Sequence, residues 1–245
     1  GDFLTSPSRL LPERLELYGA MGRAAAESAS VPCGFVFNEC AQAEWTRRAV
    51  TAGFNLVMPA GEGVAPADYL TEVKELAVLA HRHNVAVEAE IGQLPCGLAD
   101  DPAEGSLTDP QEAAAFVAAT GLDLLAVSVG NVHIQLEGQN GLDVALVSRL
   151  AEAVPEVALV LHGGSGISPE ALQEAIAAGI SKVNYGTYLK QRYLATVRQS
   201  LAVEHTDPHD VLGRGGEADV MTAARIAVRD AVLERLPQLG CQGKG

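Results

Sequence analysis

The chain has 245 residues, 48% of them hydrophobic and 20% charged, with a formal net charge of −14. Its length suits one β/α barrel of roughly 250 residues, and its apolar fraction supplies a large core, which excludes a disordered chain. The negative charge repels nucleic-acid phosphates, and no apolar run approaches the about 20 residues that span a bilayer, so neither nucleic acid nor membrane is an expected partner.

Aromatics make up only 4% of the chain, so the core must be built from Ala, Val, Leu and Ile. Residues of that kind suit helices packed on a buried parallel sheet. The cysteines Cys33, Cys40, Cys96 and Cys241 are scattered and form no C-x-x-C pair. They read as free thiols in a reducing cytoplasm, and no secretory h-region is visible.

Short apolar runs alternate with amphipathic stretches in chain order. The expected strands are Phe3–Leu4, Gly34–Phe37, Asn55–Met58, Val85–Ile91, Leu124–Val129, Ala158–Leu161 and Lys182–Tyr185. Between them the pattern predicts helices over Ala67–His83, Pro110–Ala119, Asp143–Ala153 and Pro169–Ala178, and a long final helix over Asp219–Leu236. Thr108-Asp109-Pro110 and Ser168-Pro169-Glu170 each place a capping residue before a first-turn proline. Gly53, Gly121 and Gly179 mark helix ends, each followed by a new strand. The repeated αβ unit implies a parallel sheet in one domain spanning residues 1–245. An open doubly wound sheet gives the same alternation, although no G-x-G-x-x-G follows the first strand.

Functional side chains of a β/α barrel sit at the C-terminal ends of its strands. Those ends carry Asn38-Glu39, Pro59-Ala60-Gly61-Glu62, Glu88 with Glu90, Asn131-Val132-His133, and His162-Gly163-Gly164-Ser165-Gly166. Imidazoles and carboxylates together suit a divalent metal, zinc first and manganese, iron or cobalt after it. Either His133 or His162 alone reads more readily as a structural histidine, whereas the pair at adjacent strand ends favours ligation. Glu39 is the natural third ligand, or else a rim acid or base. The Gly163–Gly166 loop before a helix suits an anion, with Ser165 adding a hydroxyl donor.

Several motifs then follow in one order and spacing: Val87-Glu88-Ala89-Glu90-Ile91-Gly92, Thr108-Asp109-Pro110, Thr120-Gly121-Leu122-Asp123 and Leu125-Ala126-Val127. Leu159-Val160-Leu161-His162-Gly163-Gly164-Ser165-Gly166, Lys182-Val183-Asn184 with Thr187, and Gly240-Cys241-Gln242-Gly243-Lys244 complete the series. Together they resemble the metal-dependent (class II) fructose-bisphosphate and tagatose-bisphosphate aldolases, from about Val31 to the C-terminus and more faintly from Gly1. The resemblance implies a (β/α)8 TIM barrel whose first β/α unit has no counterpart in this chain. It implies a lyase that cleaves or forms a C–C bond in a phosphorylated ketose through a metal-stabilised enediolate. By position, His133 and His162 match metal ligands and Glu90 a carboxylate near the metal, while Gly164, Ser165, Asn184 and Thr187 match residues that hold the phosphate-bearing half. Family precedent implies a homodimer or homotetramer.

Three departures from that family fall on the rim. Its Asp-His pair reads Asn38-Glu39 here, and an Asn amide does not titrate near neutral pH. Its Asp-Gly-Ser reads Ala60-Gly61-Glu62, and the glycine after the residue matching His133 is Ile134. An unusual hydroxy-ketone substrate is therefore expected, with Glu39 or Glu62 replacing the lost Asp. An isomerase or epimerase on the same scaffold, and a non-catalytic metabolite-binding descendant, are the alternatives.

Overall fold

The computed structural model describes residues 15–92, 94, 105–132, 141–204 and 206–244. Six strands, β1 (Val36–Cys40), β2 (Leu56–Pro59), β3 (Ala86–Ile91), β4 (Leu124–Val127), β5 (Ala158–Leu161) and β6 (Ile180–Val183), form one sheet. Each pairs in parallel with the next in sequence. A doubly wound sheet would reverse its strand order at a switch point. The unbroken order β1 to β6 is instead that of a β/α barrel, six of whose strands lie among the described residues. The expected strand Phe3–Leu4 lies outside the described residues.

Helices α1 (Leu15–Glu27), α2 (Ala43–Ala49), α3 (Pro66–His81), α4 (Pro110–Thr120), α5 (Val144–Ala153) and α6 (Pro169–Ala178) occupy the first part of the chain. Two more, α7 (Thr187–Ser200) and α8 (Val220–Arg235), follow β6 and pack on each other. The start signals act as expected. Asp109 accepts from the N–H groups of Gln111 and Glu112, and Ser168 from that of Ala171, satisfying donors that have no intrahelical acceptor. Gly121 ends α4 at φ 69°, a left-handed conformation cheap only for glycine.

Period-2 alternation splits the strands into two faces. Val57, Val87, Leu125, Val127, Leu159 and Leu161 point outward into the main core beneath the helices. Met58, Ala126 and Val160 form a separate small cluster on the other face, with Leu124 packed against it. Every strand but β5 differs from expectation in at least one bound, β1 and β6 the most. β1 runs on through Asn38-Glu39-Cys40, so residues expected just beyond the strand belong to it. β6 starts at Ile180, directly after Gly179, and ends before Asn184. No helix among the described residues is long and apolar enough to cross a membrane.

Candidate active site

The site begins with an irregularity in β1. Phe37 pairs with Val57 and Cys40 with Pro59, so β1 carries one more residue than β2 between these pairings. Such a bulge re-aims a side chain. Glu39 takes it up with φ 48°, a left-handed conformation rare for a side-chain-bearing residue. Its carboxylate Oε1 stands 3.2 Å from Nδ1 of His162, the residue following β5.

His162 is held from behind. Its Nε2 lies 3.0 Å from Oε1 of Glu88, and its carbonyl accepts from the Nδ2 amide of buried Asn131 at 3.0 Å. Glu88 is 0% exposed and His162 is 1% exposed. A carboxylate so deeply buried needs a counter-charge. Lys182 supplies it, donating from Nζ to Glu88 Oε2 at 2.8 Å and to Asn184 Oδ1 at 2.7 Å. Burial opposes a charge on His162, but the flanking carboxylates of Glu39 and Glu88 outweigh it and push the imidazole up to about 9.

Glu90 lies two residues beyond Glu88 on β3, hence on the same face. Burial raises its carboxyl above the usual range. The nearby imidazole of His162 lowers it, and the carboxylates of Glu39, Glu88 and Glu62 raise it. The backbone N–H of Glu90 donates to the hydroxyl of Tyr69 at 3.2 Å, tying the strand end to α3. Glu62 is exposed on the loop after β2. Four carboxylates thus face two cationic side chains, an excess of negative charge that suits a cation.

The expected anion loop is a 3-10 turn over Gly164–Gly166, entered through Gly163 at φ 72°. The N–H of Gly164 donates to the carbonyl of Asn184 at 3.0 Å, so it is already engaged. A Cβ at Gly164 would stand 2.6 Å from Val183 Cγ1 and 3.1 Å from the Asn184 carbonyl oxygen. This glycine lets the turn press against the end of β6. Ser165 is differently placed: its Oγ accepts from the N–H of Tyr188, in the first turn of α7, at 3.1 Å. With the oxygen occupied as acceptor, its O–H can donate to a ligand anion at that helix terminus. Thr187 opens the same helix.

Sequence reasoning placed Glu39, Glu90 and His162 on one rim, and the structure brings them together. It places Gly163, Gly164, Ser165, Asn184 and Thr187 beside them at the ends of β5 and β6. His133 and Ile134 lie outside the described residues. Asn38 has a buried Oδ1 with no hydrogen-bond partner among the described residues. Sequence reasoning gave no role to Glu88, Lys182, Asn131 or Tyr69. For Glu88 and Lys182 the signal was alternation: Glu88 with Glu90, and Lys182 with Asn184, are i,i+2 pairs of polar residues that share one face. A cavity of about 560 Å³ opens beside Phe35, Asn55 and Val85, at the opposite ends of the strands, and contains none of these groups.

The donor set fits a divalent metal in one respect that can be measured. Two ligands on a tetrahedral zinc lie about 3.3 Å apart, and Nδ1 of His162 and Oε1 of Glu39 are separated by 3.2 Å. The other imidazole nitrogen rests on a buried carboxylate, the usual support of a metal-bound histidine. Among the described residues, no group of three or more His, Cys, Asp or Glu is arranged to hold an ion.

Comparison with known proteins gives a consistent result. The family described as Fructose-bisphosphate aldolase class-II matches residues 5–244. The YdjI aldolase from Escherichia coli is 30% identical over 94% of this chain and 78% of its own, with a TM-score of 0.77. A protein from Coccidioides immitis, described as a candidate fructose-1,6-biphosphate aldolase, is 26% identical over 94% of this chain and 78% of its own, with a TM-score of 0.80. Fructose-bisphosphate aldolase from Campylobacter jejuni shares the fold at 18% identity and a TM-score of 0.65, over 94% of this chain and 77% of its own.

Proposed function

The chain belongs to the class II fructose-bisphosphate aldolase family, and from that premise we propose that it is a metal-dependent lyase acting on a phosphorylated hydroxy-ketone, with His162, Glu39, His133 and Glu90 holding the metal. Aldolase-type chemistry and dependence on a divalent metal come with the family. Zinc, the substrate's phosphate and the ligand set are our reading. The observation that carries it is the facing pair of His162 Nδ1 and Glu39 Oε1, 3.2 Å apart, with Nε2 anchored on buried Glu88.

A divalent cation held by these donors would supply Lewis-acid polarisation of a ketone oxygen. The chain's own residues do the rest. Ser165 and the first turn of α7, opened by Thr187, take the phosphate-bearing end, with Asn184 held beside them by Lys182. Asn38 offers its unpartnered Oδ1 as acceptor for a substrate hydroxyl. Proton transfer falls to a carboxylate, since Asn38 does not titrate. Exposed Glu62 can reach solvent, and Glu90 has a raised carboxyl that retains a proton more readily than a surface glutamate. Family precedent adds a homo-oligomer to the proposal.

The test is metal analysis of the purified protein, followed by incubation with ketose phosphates. Stoichiometric zinc that is lost in His162→Ala, together with triose product, supports the reading. A wild-type protein that takes up no divalent ion sinks it. The replacement of a titrating Asp by Asn38 favours a second reading, isomerisation, which needs proton transfer without C–C cleavage. Deuterium incorporation from solvent without triose release would establish that one instead.

A further inference from the structure

Lys182 makes a second contact, besides the one to Asn184, that the reading above leaves unused. Its ammonium lies between two acceptors that serve different halves of the site. Glu88 Oε2, at 2.8 Å, belongs to the carboxylate supporting His162, and Asn184 Oδ1, at 2.7 Å, belongs to the residue beside the anion turn. Both oxygens of Glu88 are thereby engaged, Oε1 by His162 and Oε2 by Lys182. The chain of contacts runs Glu39–His162–Glu88–Lys182–Asn184 and draws on β1, β5, β3 and β6. A buried carboxylate is costly to keep in a barrel unless its geometry and pairing are complete. An apolar residue at position 88 would fill the space without that cost, so a positioning task accounts for the polar pair.

We infer that Lys182 is a positioning residue that couples the two halves of the site, holding Glu88 against His162 Nε2 while fixing the Asn184 side chain beside the anion turn. The inference rests on the proposed placement of the metal at His162 Nδ1 and of phosphate near Asn184. With Nε2–H committed to Glu88, Nδ1 is the imidazole nitrogen presented to the rim. With one ammonium shared between Glu88 and Asn184, a ligand that draws Asn184 also changes the support of His162. Occupancy of either half should therefore change affinity at the other, and by reciprocity the same factor should appear in both directions.

The experiment compares the wild-type chain with Lys182→Met and Glu88→Gln. Zinc affinity is measured by chelator competition and inorganic phosphate affinity with and without zinc. Solvent exchange of the His162 Nε2–H is followed by 15N NMR. In Lys182→Met we expect zinc affinity to fall by about tenfold or more, the range found when a ligand's support is removed. We also expect Nε2–H exchange to accelerate and the effect of zinc on phosphate affinity to vanish. Zinc affinity and Nε2–H exchange both as in wild type would overturn the inference. If Lys182→Met does not fold, the near-isosteric Glu88→Gln decides on the same readouts. A wild-type protein that binds no zinc, yet protects Nε2–H in a way that Lys182→Met abolishes, would sink the metal reading and leave the positioning role standing.

Discussion

Glu39 and His162 meet at 3.2 Å although one lies in β1 and the other follows β5, and they meet because a bulge turns Glu39 toward the rim. The left-handed backbone at φ 48° is the conformational cost of that aim, on the order of 1–3 kcal/mol for a residue with a side chain. Glycine at this position relieves the strain but adds unfolded-chain entropy of about 0.5–1 kcal/mol. Glu39→Gly should accordingly relieve the backbone strain but forfeit the ion pair with His162, a net loss of thermal stability at neutral pH, while removing zinc binding and activity. Glu39→Gln should weaken zinc by about tenfold or more. Glu39→His should retain zinc, because it restores an imidazole where the family has one. Chelator competition and thermal denaturation on the three variants check these outcomes together.

Ser165 should act chiefly on binding, with a stability cost of about 0.5–1.5 kcal/mol for the lost bond from Tyr188. Its Oγ already accepts from Tyr188 N–H, so the O–H is the part available to a substrate anion. A hydrogen bond to a charged group is worth about 1.5–3 kcal/mol. Ser165→Ala should therefore raise KM for a phosphorylated substrate by about tenfold or more, with a much smaller effect on an unphosphorylated analogue. Equal effects on both substrates would remove the phosphate from this loop.

Much of this arrangement was legible in the sequence because it rests on local signals. Asp109 and Ser168 cap the helices they were expected to cap, and Ala158–Leu161 and Pro169–Ala178 have the expected bounds. The rim residues were legible for a different reason: a barrel displays function at strand ends, and His162, Glu39 and Glu90 lie at or beside such ends. What escaped was the interior. Glu88 is polar at a buried position, and no local rule names its partner, since Lys182 comes 94 residues later. The bulge at Glu39 was equally hidden, because Asn38-Glu39-Cys40 contains no glycine to mark a positive φ.

Gly164 has a packing task besides the substrate contact expected of it. Its N–H is spent on the Asn184 carbonyl, and its missing side chain makes room for Val183. A methyl group 2.6 Å from Val183 Cγ1 cannot be accommodated without movement. Overpacking of this kind costs about 1–3 kcal/mol. Gly164→Ala should lower the thermal midpoint and also weaken phosphate binding, because Asn184 adjoins the displaced strand end. The paired variant Gly164→Ala/Val183→Ala should recover most of the stability, which calorimetry can measure.

The proton on His162 gives the last prediction, and its sign follows from the two neighbouring carboxylates. In the metal-free protein the imidazole is raised from 6.5 to about 9. A raised folded-state pKa means that this contribution to stability is fully present below about 6.5 and is lost as pH rises through about 9. The raised carboxyl of Glu90 works in the same direction from lower pH, since folding favours its protonated form. Metal-free protein should thus lose thermal stability as pH rises from 6.5 to 9, and His162→Gln should flatten that slope. Zinc requires an unprotonated Nδ1, so its uptake at pH 7 must expel a proton that the carboxylates were holding. Calorimetric titrations in buffers of different ionisation enthalpy should detect about one proton released per zinc from this imidazole. Uptake without proton release would place the ion on other ligands.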